Sequence, residues 1–165
     1  IIDDKRVREA LPTISYLLNK KAIIILMSHL GRPGGIVVNN LKMDPVAKRL
    51  SVLLNKKVIK LDDCIGQDVE DFVSEMVPGE IVLLENLRFY PEEKKDEPNF
   101  ARSLASLAEI YVNDAFAVSH RSHASVVGIT KYLPSFAGFL LKEEIDKTFT
   151  FLDSQKIMKG KKTWN

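Results

Sequence analysis

Arginine and histidine side chains gather directly after three apolar segments of this sequence. The cationic groups in these polar stretches are His29, Arg32, Arg88, His120, Arg121 and His123. An arginine fork matches the oxygens of a phosphate or a carboxylate bidentately, which a lysine ammonium cannot do. Free backbone N–H groups at the start of a following helix favour the same ligands. The pattern therefore predicts a binding site for a small, multiply anionic molecule.

Strands and helices are predicted to alternate along the chain and to position these groups. The predicted strands are 22–27, 57–61, 81–84 and 110–112. The predicted helices are 7–20, 45–54, 69–76, 100–108 and 126–132. In the first of them Pro12 either kinks the helix or marks its first turn, and Asp44 is the predicted N-cap of the second. Strands that are apolar on both faces and alternate with helices are typical of βαβ units. The predicted fold class is α/β, a doubly wound, Rossmann-like parallel sheet with helices on both faces in three αβα layers.

The carboxyl ends of the strands share one edge of such a sheet, and ligands bind beyond that edge. Arg32, Arg88 and Arg121 are therefore expected to meet there from three separate loops. Arg6, near the start of the first predicted helix, faces the same edge if the segment before it is another strand. One exposed arginine is usually only a solvated charge, but three arginines from separate loops favour a binding site.

Two carboxylates and two histidines of this edge have alternative interpretations. Glu85 and Asp114 either form a catalytic pair or brace the arginines, and bracing is favoured because no serine or cysteine nucleophile accompanies them. His123 is expected to orient its loop or cap a helix rather than to contact the ligand. For His29, a structural role and a ligand contact are equally favoured.

The composition excludes several classes of protein. The 165 residues are 45% hydrophobic and 28% charged, which is typical of one globular domain. A net charge of +2 is too small to indicate a nucleic-acid binder, and no apolar run is long enough for a membrane helix. One cysteine and three histidines permit neither an internal disulfide nor a Cys/His zinc site, so no metal site is predicted.

One segment, Tyr90–Asn99, contains two prolines and six charged residues with no apolar residue between its ends. Proline and alternating charges are typical of loops on the surface. This segment is therefore predicted to be a solvated loop with no part in a site.

Four motifs at the ends of the predicted strands carry a resemblance to a known family. They are Ser28–Pro33 (SHLGRP), Leu84–Phe89 (LENLRF), Val112–Phe116 (VNDAF) and His120–Ser125 (HRSHAS). In order and spacing they resemble the phosphoglycerate kinase family, from Ile1 to about Asp146. The resemblance implies a substrate domain hinged to a second domain that binds MgADP or MgATP. It also implies reversible transfer of the acyl phosphate of 1,3-bisphosphoglycerate to ADP, giving 3-phosphoglycerate and ATP in glycolysis.

The resemblance also implies roles for individual residues. Arg32, Arg88 and Arg121 match the basic patch that binds the 3-phosphate, and His29 lies nearer the carboxyl and hydroxyl end of the substrate. Arg6 matches the catalytic arginine that reaches the carboxyl-phosphate and stabilises charge on the phosphoryl group in transfer. This agrees with the chemistry, because phosphoryl transfer depends on positioning and electrostatic stabilisation rather than on a protein nucleophile.

Two departures from the family pattern concern the ends of the sequence. The Asp-Phe-Asn strand of the family and its Gly-Gly-Ala-Lys nucleotide loop have no counterpart here. We expect residues 1–146 to form the phosphoglycerate-binding domain and 147–165 to be a tail resembling a fragment of the nucleotide domain. The expected chain is thus incomplete at its front, cut or spliced at its back, and without nucleotide-binding residues of its own.

Three functions remain open at this point. The chain belongs to a working kinase, or it is an inactive phosphoglycerate-binding module, or it is a structural paralogue that binds no phosphorylated acid. By resemblance the expected protein is a cytoplasmic monomer that binds neither nucleic acid nor membrane.

Overall fold

The computed structural model describes residues 4–160, with side chains up to residue 150. Seven α-helices and five strands lie within the described residues. The helices are α1 Lys5–Glu9, α2 Leu11–Asn19, α3 Asp44–Leu54, α4 Gln67–Ser74, α5 Pro91–Lys94, α6 Pro98–Ala105 and α7 Phe139–Gly160. The strands are β1 Ile24–Leu26, β2 Ile59–Lys60, β3 Ile81–Leu83, β4 Tyr111–Asn113 and β5 Ser135–Ala137. Pro12 lies in the first turn of α2, where its missing N–H costs no hydrogen bond.

The strands form two parallel sheets, as the alternation of strands and helices predicted. One sheet has the order β1-β3-β2, and the other pairs β4 with β5. Ile25 of β1 and Ile59 of β2 both lie opposite Val82 of β3 in the parallel register. The strand β3 is therefore central to its sheet, and all of its residues are buried, in agreement with its continuous apolar run.

Helices pack on both faces of the three-stranded sheet. On one face, Ile24 and Ile81 belong to a buried cluster that includes Ile14 of α2 and Leu50 of α3. On the other face, Ile25 packs against a separate cluster whose members include Phe100 and Leu104 of α6. Successive residues of a strand point to opposite faces, so one strand contributes to both clusters. The predicted three-layer αβα architecture is confirmed.

The prediction that Tyr90–Asn99 is a solvated loop was wrong. The segment contains α5 and the start of α6, and Glu93 is only 1% exposed. Two anchors fix it: the Tyr90 ring lies 5.0 Å from the Phe100 ring, centroid to centroid, and the Glu97 carboxylate accepts a hydrogen bond from the Phe100 N–H. The sequence gives no sign of this packing, because Glu93 stands among other charged residues and a helix this short can pack through a single inward-facing residue.

Several predicted boundaries also shifted. Met43, rather than Asp44, is the N-cap of α3, and Asp44 is its first helical residue. The predicted helix 126–132 is a 3-10 helix over Gly128–Lys131. The strand β5 was not predicted, because all three of its residues are exposed and it has no buried apolar face.

The helix α7 begins beside the loops that follow β4. Its first N–H, that of Phe139, donates to Thr13 Oγ1 over 3.0 Å, and Asp114 Oδ1 accepts from Leu140 N at 2.9 Å. The predicted domain boundary at residue 146 falls inside this helix and stays a prediction, and residues 161–165 of the predicted tail lie outside the described residues. No helix in the described part of the chain is long and apolar enough to cross a membrane.

Candidate anion-binding site

The loop between β1 and α3 is fastened to the end of β3 by Asn86. The Asn86 carboxamide is fully buried and donates to the carbonyl oxygens of Leu30 and Leu41, at 2.8 and 2.9 Å. Its oxygen accepts from the N–H groups of Leu30 and Arg88, at 3.2 and 3.1 Å. All four hydrogen-bonding positions of the amide are thus occupied. This arrangement fixes the loop that carries the predicted site residues after β1.

The Arg88 side chain is buried at the centre of this edge, with the residue only 6% exposed. Its Nη1 donates to the Gly31 carbonyl oxygen at 2.7 Å, while its Nε is buried without a hydrogen-bond partner among the described residues. Gly31 has a φ of +65°, in the left-handed region that favours glycine, and a Cβ there would lie 2.7 Å from the end of the Leu41 side chain. A buried guanidinium with an unpaired donor is costly unless an anion binds it.

The other predicted cations lie close enough to Arg88 or His29 to act on them electrostatically. The charges of Arg88, Arg121, His123 and Arg6 all act on His29, and those of Arg121 and Arg32 act on Arg88. We call this group the cationic cluster: Arg6, His29, Arg32, Arg88, Arg121 and His123. None of its four arginines forms an ion pair with a carboxylate of residues 4–150.

The degree of burial differs within the cationic cluster. Arg88 is buried, His29, Arg121 and His123 are half-buried, and Arg6 and Arg32 are exposed. His120, on the same loop as Arg121, is exposed. The arrangement can bind a polyanion, with a buried arginine at the base and exposed arginines at the rim.

His29 is expected to be neutral at pH 7. Burial, together with the charges of Arg88, Arg121, His123 and Arg6, lowers its pKa to about 4. Because the folded state binds this proton more weakly than the unfolded state does, His29 lowers the stability of the fold as pH falls from about 6.5 to about 4. An NMR titration should therefore place the His29 midpoint near pH 4, and saturating phosphate should raise it. A midpoint near 6.5 that phosphate does not move would contradict the clustering of these cations.

The expectation that Glu85 and Asp114 brace the arginines was wrong. Glu85 Oε1 accepts from the N–H groups of Met43 and Asn86, at 2.9 and 2.8 Å, and its Oε2 lies 2.8 Å from Lys60 Nζ. Lys60 is the last residue of β2 and lies opposite Leu83 of the neighbouring strand β3, so its side chain reaches Glu85 just beyond the end of β3. Asp114 instead caps the first turn of α7 through Leu140 N. The two carboxylates have separate structural roles.

Glu93 is the residue of this region that the sequence did not indicate. Its carboxylate accepts from Ser125 Oγ at 2.6 Å and from Ser125 N at 3.0 Å, and it lies 3.4 Å from His123 Nδ1. Nothing in the local pattern distinguishes Glu93 from Glu92 or Lys94 beside it. Only the packing of α5 against residues 123–125 identifies it.

The described residues contain no group of three or more His, Cys, Asp or Glu side chains arranged to hold a metal ion. The lone cysteine, Cys64, is buried and donates its thiol to the Glu85 carbonyl oxygen. Burial, together with the charges of Asp63 and Glu85, raises the pKa of this thiol. Cys64 is thus part of the core and is not a nucleophile of the site.

Comparison with solved structures supports the architecture. The structure of phosphoglycerate kinase from Pyrococcus horikoshii matches with a TM-score of 0.81 at 34% identity, over 88% of this chain and 37% of that chain. The enzyme from Coxiella burnetii matches with a TM-score of 0.76 at 36% identity, over 87% of this chain and 36% of that chain. The predicted α/β, doubly wound fold class is confirmed.

Comparison of sequences gives the same family. The phosphoglycerate kinase from Dictyoglomus turgidum is 58% identical over 146 residues, which are 88% of this chain and 37% of that protein. The one from Moorella thermoacetica is 57% identical over the same shares. The chain therefore spans little more than a third of the length of these relatives. The family model described as "Phosphoglycerate kinase" matches residues 1–161, and the chain belongs to the phosphoglycerate kinase family.

Proposed function

We propose that this chain supplies the phosphoglycerate site of a phosphoglycerate kinase. The observation that carries the proposal is the buried Arg88, which has an unpaired Nε and stands among other arginines with no carboxylate partner in the described residues. Such a group binds a small polyanion most favourably where its donors are desolvated. The ligand class is 3-phosphoglycerate or 1,3-bisphosphoglycerate, each of which bears a phosphate at one end and a carboxyl-derived group at the other.

The proposed roles divide the cationic cluster by position. Arg32, Arg88 and Arg121 bind the 3-phosphate, and His29 lies nearer the carboxyl end of the substrate. Arg6 is the proposed catalytic residue, because an exposed arginine at the rim is placed to meet a phosphoryl group arriving from outside this domain. Phosphoryl transfer has a loose transition state with charge spread over the equatorial oxygens, and an arginine stabilises that charge.

The nucleotide belongs to the proposed reaction as a co-substrate. MgADP accepts the acyl phosphate, and MgATP donates it in the reverse direction. We expect the nucleotide contacts to come from outside residues 1–165, so transfer requires a second domain that closes over the site and excludes water. We further propose that the protein acts as a cytoplasmic monomer without nucleic-acid or membrane partners.

A phosphoglycerate-binding module without turnover is the second candidate function. It is supported by the cationic cluster alone, because a cluster of arginines binds a polyanion without a nucleotide. The two candidates differ in one respect: both bind 3-phosphoglycerate, but only the kinase couples binding to ATP-dependent phosphorylation. An assay of that phosphorylation therefore separates them.

Isothermal titration calorimetry of the 165-residue chain with 3-phosphoglycerate tests the proposed site. The Arg121→Ala variant should weaken binding by about 1.5–3 kcal/mol, the range for hydrogen bonds to charged groups, and leave the melting temperature unchanged. Arg102→Ala is the matched control, because Arg102 lies on α6 with its guanidinium 5.6 Å from the Tyr132 ring. The affinity of Arg102→Ala should equal that of the wild type.

Binding of 3-phosphoglycerate should also weaken as the salt concentration rises, and sulfate should compete with it. A wild-type chain that shows no saturable binding would refute the proposed function.

A further inference from the structure

Glu93 holds the loop that carries two members of the cationic cluster. Two donors of that loop bind its carboxylate, the Ser125 N–H at 3.0 Å and Ser125 Oγ at 2.6 Å, and His123 Nδ1 lies 3.4 Å from it. The Glu93 backbone carbonyl also accepts from the N–H of Ala124 at 2.8 Å. Residues 123–125 thus all contact one glutamate of α5.

The attachment extends to Arg121 through the backbone. The N–H of His123 donates to the Arg121 carbonyl oxygen at 3.0 Å, and the N–H of Arg121 donates to the Val118 carbonyl oxygen at 2.9 Å. These short turns leave the backbone of Arg121 little freedom once His123 is fixed. The position of the Arg121 guanidinium relative to Arg88 therefore depends on where Glu93 holds the turn.

The negative charge of Glu93 and its hydrogen bonds have opposite expected effects on anion affinity. Burial lowers the pKa of His123 and Glu93 raises it, while Arg88 and Arg121 add to the lowering. Glu93 also favours the charged form of Arg88. A negative charge beside a cationic site weakens the attraction of an incoming anion, so removing it alone would strengthen anion binding. Geometry and charge thus predict opposite effects of a Glu93 substitution on affinity.

We propose that Glu93 is the positioning residue of this site: its buried carboxylate fixes residues 123–125, and through them it sets Arg121 and His123 in register with Arg88. The proposal rests on the proposed function, because the register matters for a ligand that spans these groups. It assigns Glu93 no contact with the substrate.

Glu93→Gln tests the proposal with little change of volume. The two carboxylate oxygens each accept one bond from Ser125, but a carboxamide has one oxygen and an NH2 group, so at least one of these two hydrogen bonds must reverse or break. We expect the affinity for 3-phosphoglycerate, measured by titration calorimetry at fixed pH and ionic strength, to fall at least tenfold. Unchanged affinity with lowered stability would make Glu93 only a core residue. Tighter binding would make it only a counter-charge. Either result overturns the proposal.

Two further variants keep the test decisive. Glu92→Gln removes the same charge from the same helix and should leave the affinity within twofold of the wild type. Ser125→Ala keeps the charge of Glu93 and deletes one donor, so it should weaken binding severalfold even if Glu93→Gln does not fold. Full affinity in Ser125→Ala would also overturn the proposal.

A spectroscopic signature separates the proposal from the proposed function. With Glu93 as acceptor, the neutral His123 ring carries its proton on Nδ1, and 15N NMR of the ring reports which nitrogen is protonated. We expect the Nδ1–H form in the wild type and the Nε2–H form in Glu93→Gln, whether or not 3-phosphoglycerate binds. If the wild type binds no 3-phosphoglycerate but the ring proton still moves from Nδ1 to Nε2 in Glu93→Gln, the proposed function is refuted while the contact of Glu93 with His123 is supported. An Nε2–H form in the wild type would overturn the positioning role.

Discussion

Replacing Arg88 with methionine is expected to weaken 3-phosphoglycerate binding by about 3 kcal/mol, or roughly 150-fold, because Arg88 is the buried member of the cationic cluster. In anion-free buffer the free energy of unfolding should change by less than about 1 kcal/mol. Methionine loses the hydrogen bond to Gly31 but also removes a buried charge. Burial and the charges of Arg121 and Arg32 lower the pKa of Arg88 against the opposing effect of Glu93, so removing this charge offsets part of the loss. Calorimetry and urea unfolding measure the two quantities.

The control for Arg88→Met is Arg88→Lys, which keeps the positive charge and loses the planar guanidinium. It should recover part of the affinity but remain well below the wild type, since lysine offers no bidentate contact. Sulfate should raise the melting temperature of the wild type and have a much smaller effect on Arg88→Met. Equal sulfate stabilisation of the two proteins would show that the anion binds elsewhere.

Replacing Glu85 with alanine is expected to destabilise the fold by about 3–5 kcal/mol, the cost of breaking a buried ion pair. The carboxylate pairs with Lys60 and accepts from the N–H groups of Met43 and Asn86, so its loss leaves two amides without their acceptor and the Lys60 ammonium without its buried partner. Urea unfolding measures the loss. The control is Asp62→Ala: Asp62 also pairs with Lys60, at 2.8 Å, but its side chain is 94% exposed, so the cost should stay below about 1 kcal/mol.

The pH dependence of the Lys60 ion pair follows from the same geometry. Burial lowers the pKa of Lys60, but the hydrogen bonds to Asp62 and Glu85 outweigh it and raise the pKa above the ordinary value of 10.5. A raised lysine pKa stabilises the fold fully below that ordinary value, and the contribution is lost as pH rises toward the folded-state pKa. The difference in unfolding free energy between the wild type and Lys60→Met should therefore be constant from pH 7 to about 9.5 and shrink above it. A constant difference up to pH 11.5 would contradict the ion pair.

The strands that border the site could be predicted because their signal is local. The strands β1 and β3 lie in continuous apolar runs, which identify each strand without knowledge of the strand it pairs with. Parallel pairing then brings their carboxyl ends to one edge of the sheet. For that reason Arg32, Arg88 and Arg121 were expected to meet before any contact was known. Their roles toward a ligand stay predictions until the titrations are done.

The features that could not be predicted depend on tertiary partners. Glu93 looks like its charged neighbours until residues 123–125 pack over it, and Lys60 gives no sign in the sequence that it, not an arginine, pairs with Glu85. The strand β5 has only exposed residues, so it lacks the alternation that identifies a strand. In each case the decisive interaction joins segments that are more than twenty residues apart, and a local pattern carries no information about it.

The Asn86 anchor has a consequence for how this protein can change during evolution. The groups it binds in the preceding loop are all backbone atoms: the N–H and carbonyl of Leu30 and the carbonyl of Leu41. Aspartate at position 86 would place a second oxygen against two carbonyls, so Asn86 is the constrained residue. The loop side chains add nothing to this anchor, and Ile36 and Val37 within it are about two-thirds exposed. Descendant sequences can therefore vary at Ile36 and Val37 while the asparagine keeps its hold on the loop backbone.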